Sequence, residues 1–256
     1  MSRFIRRLFL MSFVCAGAAF GQSSFAQIAF GGPWQTTFTL INVDSSNLAN
    51  VTLNFFADSG SPLNVPIQGV AGSPNSYTFT ISPSSSQNIV LVSTDPTTPV
   101  TQGWASMTVT SGRVQGQGSF RSLLPSGATF EAVVPLSTSG SAVCIIPFPP
   151  SGSPVILIPF DNTAGYNSSI AIANTTNFQV TIPIEYDDQT NHQLKTENVV
   201  LAPMAHTAFT LATKYPAELG GKKGIIRIQG SPLGLSVLGL LSNPSNAITT
   251  IIPIVP

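Results

Sequence analysis

Cysteine is nearly absent from this chain. There are two, Cys15 and Cys144, and the first lies in an apolar leader. Without the leader a single thiol remains. No internal disulfide can then brace the fold, and each domain must stand on its own hydrophobic core. Cys144 sits in Ala-Val-Cys-Ile-Ile and reads as a small buried hydrophobe.

Histidine is as scarce, with only His192 and His206. A zinc site wants three or four clustered His or Cys ligands, which this chain does not have. Neither histidine accompanies a Gly-x-Ser-x-Gly elbow, and the lone cysteine has no linked histidine pattern. His192, in Asp-Asp-Gln-Thr-Asn-His, and His206, after Pro203-Met-Ala, read as surface or turn residues. The expectation is a protein that is not an enzyme and needs no cofactor.

Charge is thin as well: charged residues are 8% of the chain. After the leader, seven Lys and Arg stand against ten Asp and Glu, a formal net charge of −3. That recruits neither nucleic acid nor an anionic membrane. Ser, Thr, Asn and Gln must supply the wet surface, which suits extracellular life. Abundant Val, Ile, Leu and Phe argue against disorder. No long amphipathic helix follows the leader. The one helical signal is Pro216-Ala-Glu-Leu219, with Pro in the first turn.

What is present begins with residues 1–26, which read as a secretory signal peptide. Arg3, Arg6 and Arg7 give the positive start, Leu8 to Phe20 a short apolar core, and Ser24-Phe25-Ala26 a small-x-small cleavage site. Ala19-Phe20-Gly21 is a usable alternative. The apolar run is too short to span a bilayer, and the residues before Cys15 are too bulky for a lipoprotein signal. The expected location is secreted, periplasmic or cell-surface, with no membrane insertion once the leader is removed.

The mature chain then contains itself twice. Trp34-Gln-Thr-Thr-Phe-Thr-Leu-Ile-Asn42 returns as Tyr166-Asn-Ser-Ser-Ile-Ala-Ile-Ala-Asn174. Val51-Thr-Leu-Asn-Phe-Phe-Ala-Asp58 returns as Val180-Thr-Ile-Pro-Ile-Glu-Tyr-Asp187. Pro83, Leu91, Gly103 and Gly118 return as Pro203, Leu211, Gly224 and Gly239. A repeat of about 100 residues is a duplicated domain, far longer than a solenoid unit.

Within each copy, short apolar-polar alternations recur between Gly, Pro, Ser and Asn. Trp34, Thr36, Phe38 and Leu40 share one face of a strand; Val51, Leu53 and Phe55 share another. Pro183 inside such a run argues for an edge strand or a bulge. About seven short strands per hundred residues indicate an all-β chain of two tandem Ig-like β-sandwich domains. Domain one spans 27–138 and domain two 154–256. A Pro-rich linker, 139–153, joins them as a semi-rigid spacer. Strands 141–147 and 155–160 could pair or swap across that boundary. An outer-membrane barrel also alternates, but frequent Pro and Gly within the runs, and the duplication itself, favour sandwiches.

Candidate sites are few. Asp58-Ser59-Gly60 matches half of an aspartic-protease dyad. The second copy offers Asp187-Asp188-Gln189 instead, so the pair cannot be assembled, and Asp-Ser-Gly is ordinary turn chemistry. Glu185, Asp187, Asp188 and Asn191 are dense enough in oxygen to hold calcium, or else form a solvated acidic hairpin. Gly220-Gly221-Lys222-Lys223-Gly224 precedes a strand, so it lacks the helix a phosphate loop needs. Trp104 shares its face with Ser106 and Thr108, and Phe56 is also on a polar parity. Both are candidate sugar platforms, or contacts to a neighbouring domain. Three sequons, at Asn50, Asn167 and Asn174, matter only where the host glycosylates them.

Phe30-Gly-Gly-Pro-Trp34, Phe55-Phe-Ala-Asp-Ser-Gly-Ser-Pro-Leu63 and Gly103-Trp104 resemble a group of uncharacterised secreted bacterial proteins built from two tandem β-sandwich repeats. That resemblance implies export and carries no activity and no site residues. The functional expectation is an exported surface, envelope or extracellular-matrix binding or structural module, with a glycan or a surface protein as partner. The alternative is a carbohydrate-binding pair using Trp104.

Overall fold

The structure is a computed structural model, and it describes residues 22–92, 97–123, 129–138, 155–229, 234–245 and 247–256. It is an all-β chain of four antiparallel sheets. In the first half, β1 (Gln22–Phe30), β3 (Ala49–Ala57), β4 (Ser76–Ile81), β6 (Thr101–Ser111) and β9 (Ser137–Thr138) form a sheet in the order β4-β3-β6-β1-β9. Facing it, β2 (Trp34–Asn42), β5 (Ser86–Val92), β7 (Val114–Leu123) and β8 (Thr129–Pro135) run β5-β2-β7-β8.

In the second half, β10 (Val155–Asp161), β12 (Val180–Asp188), β13 (Gln193–Leu201) and β15 (Lys223–Gln229) run β10-β15-β12-β13. Their partner sheet is β14-β11-β16-β17, from β11 (Asn167–Asn174), β14 (His206–Thr210), β16 (Leu235–Ser242) and β17 (Ile248–Ile251). Two single-turn helices, α1 (Leu211–Lys214) and α2 (Pro216–Leu219), lie between β14 and β15. The linker 139–153 and Cys144 lie outside the described residues. So does the first partner of the suggested swap, 141–147; β10 itself pairs with β15 inside its own half.

The alternation in the sequence is what builds these sheets. Phe38 and Leu40 of β2 and Val51, Leu53 and Phe55 of β3 are wholly buried between the first two sheets. Ile170, Ile172, Ile184, Tyr186, Ile226 and Ile228 do the same in the second sandwich-like pack. Each such side chain contributes about 1.5–3 kcal/mol of burial.

The two halves share one strand order, β1 to β8 matching β10 to β17 once the helices are set aside. Matching ladders place Asn42 with Asn174, Gly103 with Gly224 and Gly118 with Gly239. They also correct one alignment. Val51 sits opposite Phe79 in the third pair of its ladder, where Ile182, not Val180, sits in the second half. The sequence match was two residues out, and Phe56 is therefore equivalent to Asp187 rather than Glu185. A slip of two keeps every side chain on its correct face, so hydrophobic pattern alone cannot detect it.

The Ig-like expectation needs correction too. An immunoglobulin domain sets its first strand beside the second and its seventh beside the sixth. Here β1 lies beside β6 and β7 beside β2, while the pairs β2–β5 and β3–β6 are kept. Alternation reveals that a strand is half-buried, not which strand lies next to it. Pro183 is likewise refined: β12 is internal, but its ladder to β15 starts only at Ile184. Proline thus sits where no donor is asked of it on that side.

The two packs stack through a third layer. Ala171 and Leu238 of the second half belong to the first core, and Ala208, Leu240 and Ile248 pack against it. The outer face of β14-β11-β16-β17 therefore lies on β1 and its sheet. Equivalent positions in β5-β2-β7-β8 explain why only one of the two faces is covered. Ala171, Leu238 and Ala208 correspond to Thr39, Gln117 and Asn88. One backbone plan carries an apolar face made for burial in the second half and a polar one made for water in the first.

Candidate functional site: the seam between the two packs

The richest polar chemistry in the described chain lies in this seam. It is built by two turns. After β3 the chain reverses through Asp58-Ser59-Gly60, with Gly60 N–H donating to Ala57 O and Ala57 N–H to Ser61 O. Gly60 has φ of +86°, and a Cβ there would overlap the carbonyl oxygen of Pro203. Glycine is needed both for the turn and for this close approach. Opposite it, the turn before β14 runs through Pro203, Met204 and Ala205, with Met204 at φ of +58°. Its equivalent in the first half, Ser84, has φ of +54°, so the strained shape is common to both halves.

Three hydrogen bonds lock the turns together, and Gln102 braces Asp58 from within the first half. His206 Nδ1 lies 2.7 Å from Asp58 Oδ1, and the His206 backbone N–H donates to Asp58 O at 3.0 Å. Gln102 Nε2 donates to the other Asp58 oxygen at 3.2 Å. Trp104 Nε1–H donates to Met204 O at 2.7 Å, while its ring stacks on Phe56 at 4.7 Å between centroids. At the far rim, Thr250 Oγ1 donates to Val133 O.

These positions decide between the two readings of Trp104, in favour of a contact to the neighbouring half, and revise the reading of His206. Trp104 points to the outer face of its sheet, as its parity required, but is 0% exposed. An indole sealed against a second pack and hydrogen-bonded to it offers no stacking face to a sugar, and half-buried Phe56 is covered by the same indole. His206 is no surface residue: its side chain is wholly buried, whereas His192 is exposed as expected. Nothing local marks the burial of His206. Its one signal is the Pro203-Met-Ala turn, which fixes the bend but not what lies against it.

The Asp58–His206 pair has the outline of half a catalytic triad. A triad continues from the second ring nitrogen to a hydroxyl nucleophile. Nε2 of His206 is buried and has no hydrogen-bond partner among the described residues. Ser24 on β1 and Ser236 on β16 carry buried, unpartnered hydroxyls, yet neither bonds to it. The imidazole side chain is 0% exposed, and its contacts to Asp58 join the two halves.

The oxygen-rich loop has a different use from the expected one. Asp187, 3% exposed, binds Arg227 Nε, and Arg227 Nη2 donates to Asn191 Oδ1 at 2.8 Å. Asp188 caps its own turn, accepting from Thr190 N–H and Oγ1 and from His192 N–H. Those bonds hold its carboxyl below the usual range, the Thr190 hydroxyl contributing most. Three of the four calcium candidates are thus committed to a guanidinium or to the turn. Among the described residues no group of three or more His, Cys, Asp and Glu is arranged to hold a metal ion. Of the four, Glu185 is the one with no side-chain hydrogen bond or ion pair among the described residues.

A second polar cluster lies beside α1 and α2. Glu197 faces inward from β13, opposite Ile184. Its carboxylate accepts from Tyr186 OH at 2.6 Å, from Tyr215 OH and from Lys214 Nζ at 3.1 Å. Burial pushes this carboxyl up, but the two hydroxyls and the ammonium outweigh it and hold it below its ordinary value. Burial and the neighbouring carboxylate push both tyrosines up. An inward charge on an edge strand also discourages edge-to-edge pairing.

Comparison with protein-family models, curated proteins and solved structures finds no match to this chain.

Proposed function

We propose that the chain is an exported, non-enzymatic β-protein acting as a surface, envelope or extracellular-matrix module, made by duplication of one eight-stranded unit. The observation that carries this reading is the seam. Its polar groups, which elsewhere would suggest chemistry, are spent on fixing one unit against the other. A module that presents ligands or spaces partners at a surface needs a defined shape and a neutral, wettable exterior more than a reactive centre. The sparse charge of the chain fits the same role.

The packing of Phe25 bears on where such an exported chain is processed. Phe25 lies within β1 and is wholly buried. Cleavage after Ala26 removes Phe25 together with the pairs Ser24–Ser106 and Ser24–Ser137. Cleavage after Gly21 keeps Phe25 and these pairs. The test is to produce the full chain with its own leader in a bacterial host, fractionate the cells and weigh the mature protein. A periplasmic or extracellular product beginning at Gln22 is expected. Uncleaved protein confined to the cytoplasm overturns export, and a product beginning at Gln27 overturns the site.

A further inference from the structure

The β10-β15-β12-β13 sheet carries an open depression of about 280 Å³, with Pro183 in its lining. Glu185, Gln193, Thr196, Asn198 and Gln229 surround it. They occupy adjacent cross-strand positions: Pro183 faces Asn198, Glu185 faces Thr196 and Asp187 faces Gln193. None of these five side chains has a hydrogen bond or ion pair among the described residues.

The equivalent face of the first half is organised differently. There Asn54 takes the place of Glu185, Ser76 that of Thr196, and Thr52 and Thr78 those of Pro183 and Asn198. Those side chains satisfy one another. Ser76 Oγ donates to Asn54 Oδ1 at 2.8 Å, Asn54 Nδ2 to Ser106 Oγ at 3.5 Å, and the Thr52 and Thr78 hydroxyls lie 2.9 Å apart. Matching backbone thus carries a closed polar ladder in one half and an open one in the other. Opening it required proline in the lining, which contributes no side-chain hydrogen bond.

Charge selects the occupant. Arg227 stands directly across from Glu185 but turns away to Asp187 and Asn191. Glu197 also lines the depression, but its carboxylate is held by Tyr186, Tyr215 and Lys214, which leaves Glu185 as the unpaired charge among the described lining residues. That disfavours phosphate, nucleic acid and anionic polysaccharide. The remaining groups are amides and a hydroxyl, which both donate and accept, and so match groups that do the same. Sugar hydroxyls are such groups, and the Pro183 ring offers a small apolar floor to the C–H face of a pyranose. The volume lies at the lower limit of small-ligand sites.

We infer that this depression, on the second half alone, is a binding site for a neutral glycan, read by Glu185 and the surrounding amides without an aromatic platform. The inference stands independently of export and of the module role.

The test is an NMR titration of ¹⁵N-labelled protein with cellohexaose, maltohexaose and N-acetylchitohexaose. Each is taken to about 10 mM, ten times a Kd of about 1 mM. Hexagalacturonate is the anionic control. Shifts confined to residues 183–185, 193–198 and 229 are expected with at least one neutral sugar, and none with the control. Glu185→Ala should weaken that binding about tenfold, by loss of a charge-assisted hydrogen bond. Asn54→Ala on the equivalent face should leave it unchanged. The exposed position of the ring of residues makes equal thermal stability of the variants the check on folding. No shift with any neutral hexaose, equal shifts with hexagalacturonate, or binding indifferent to Glu185→Ala overturns the proposal.

Discussion

His206 and Asp58, 148 positions apart in sequence, meet across the seam with Nδ1 and Oδ1 2.7 Å apart. The imidazole is wholly buried, and the carboxylate is about half exposed, at 48%. Each side chain also aligns a turn, because the same two residues share a backbone hydrogen bond. A double-mutant cycle of Asp58→Ala and His206→Ala measures what the pair contributes. Solvent around Asp58 weakens it, so a coupling energy of about 1 kcal/mol is expected from urea unfolding. Strictly additive single mutants would show that the contact only accompanies the docking.

Trp104 should matter more. Truncation to Ala removes a wholly buried indole and leaves Met204 O without its donor. The expected loss is about 3–5 kcal/mol. Calorimetry should then resolve two transitions where one is expected of the intact protein, since the seam no longer couples the halves. Trp104→Phe keeps a phenyl ring but loses the N–H and part of the ring volume, so its cost should be smaller, about 2–3 kcal/mol. A single unshifted transition in Trp104→Ala would mean that the seam does not hold the halves together.

Much of this architecture is legible in the sequence, and the failures share a cause. Alternation correctly put Trp104 on the polar side of its strand, because the period of a strand is local. What covers that side is Met204, 100 positions away, and no local pattern reports it. His206 is misread for the same reason. The acidic loop shows its composition but not that Arg227, 40 positions on from Asp187, fills it. Helix α2 is readable from its proline, whereas α1 has no such start residue and no side-chain cap. The depression around Pro183 left no signal at all, since it depends on which polar side chains find partners.

Glu197 gives the fold a dependence on pH. Its carboxyl is held below the ordinary value of 4.5 in the folded chain. A carboxyl lowered by folding adds stability above its unfolded value, and that stability is lost as pH falls through the folded value. Glu197→Gln should therefore be less stable than the natural protein at pH 7. The gap should narrow progressively below about pH 4.5. Urea midpoints across that range decide it, and a gap that stays constant would mean that the tyrosine and lysine contacts add nothing to the charged form.

Asn42 and Asn174 provide the sharpest comparison between the halves. Both are 0% exposed. Asn42 Nδ2 donates toward the carbonyls of Asn47, Ile81 and Ser82, and Asn174 Nδ2 toward those of Phe178, Leu201 and Ala202. Each carboxamide thus ties a strand end to two loops, and Asn174 has no free amide to offer as a glycosylation site in the folded chain. Replacement by Ala strands those buried carbonyls, at about 2–3 kcal/mol for either residue. Replacement by Asp keeps the shape but turns the donor into a negative oxygen among carbonyl oxygens, so each Asp variant should be less stable than its Ala counterpart at pH 7. Acidification should reverse part of that difference, because a protonated Asp regains one donor. An Asp variant as stable as the natural protein at neutral pH would mean that the carbonyls, not the amide, set the geometry of these corners.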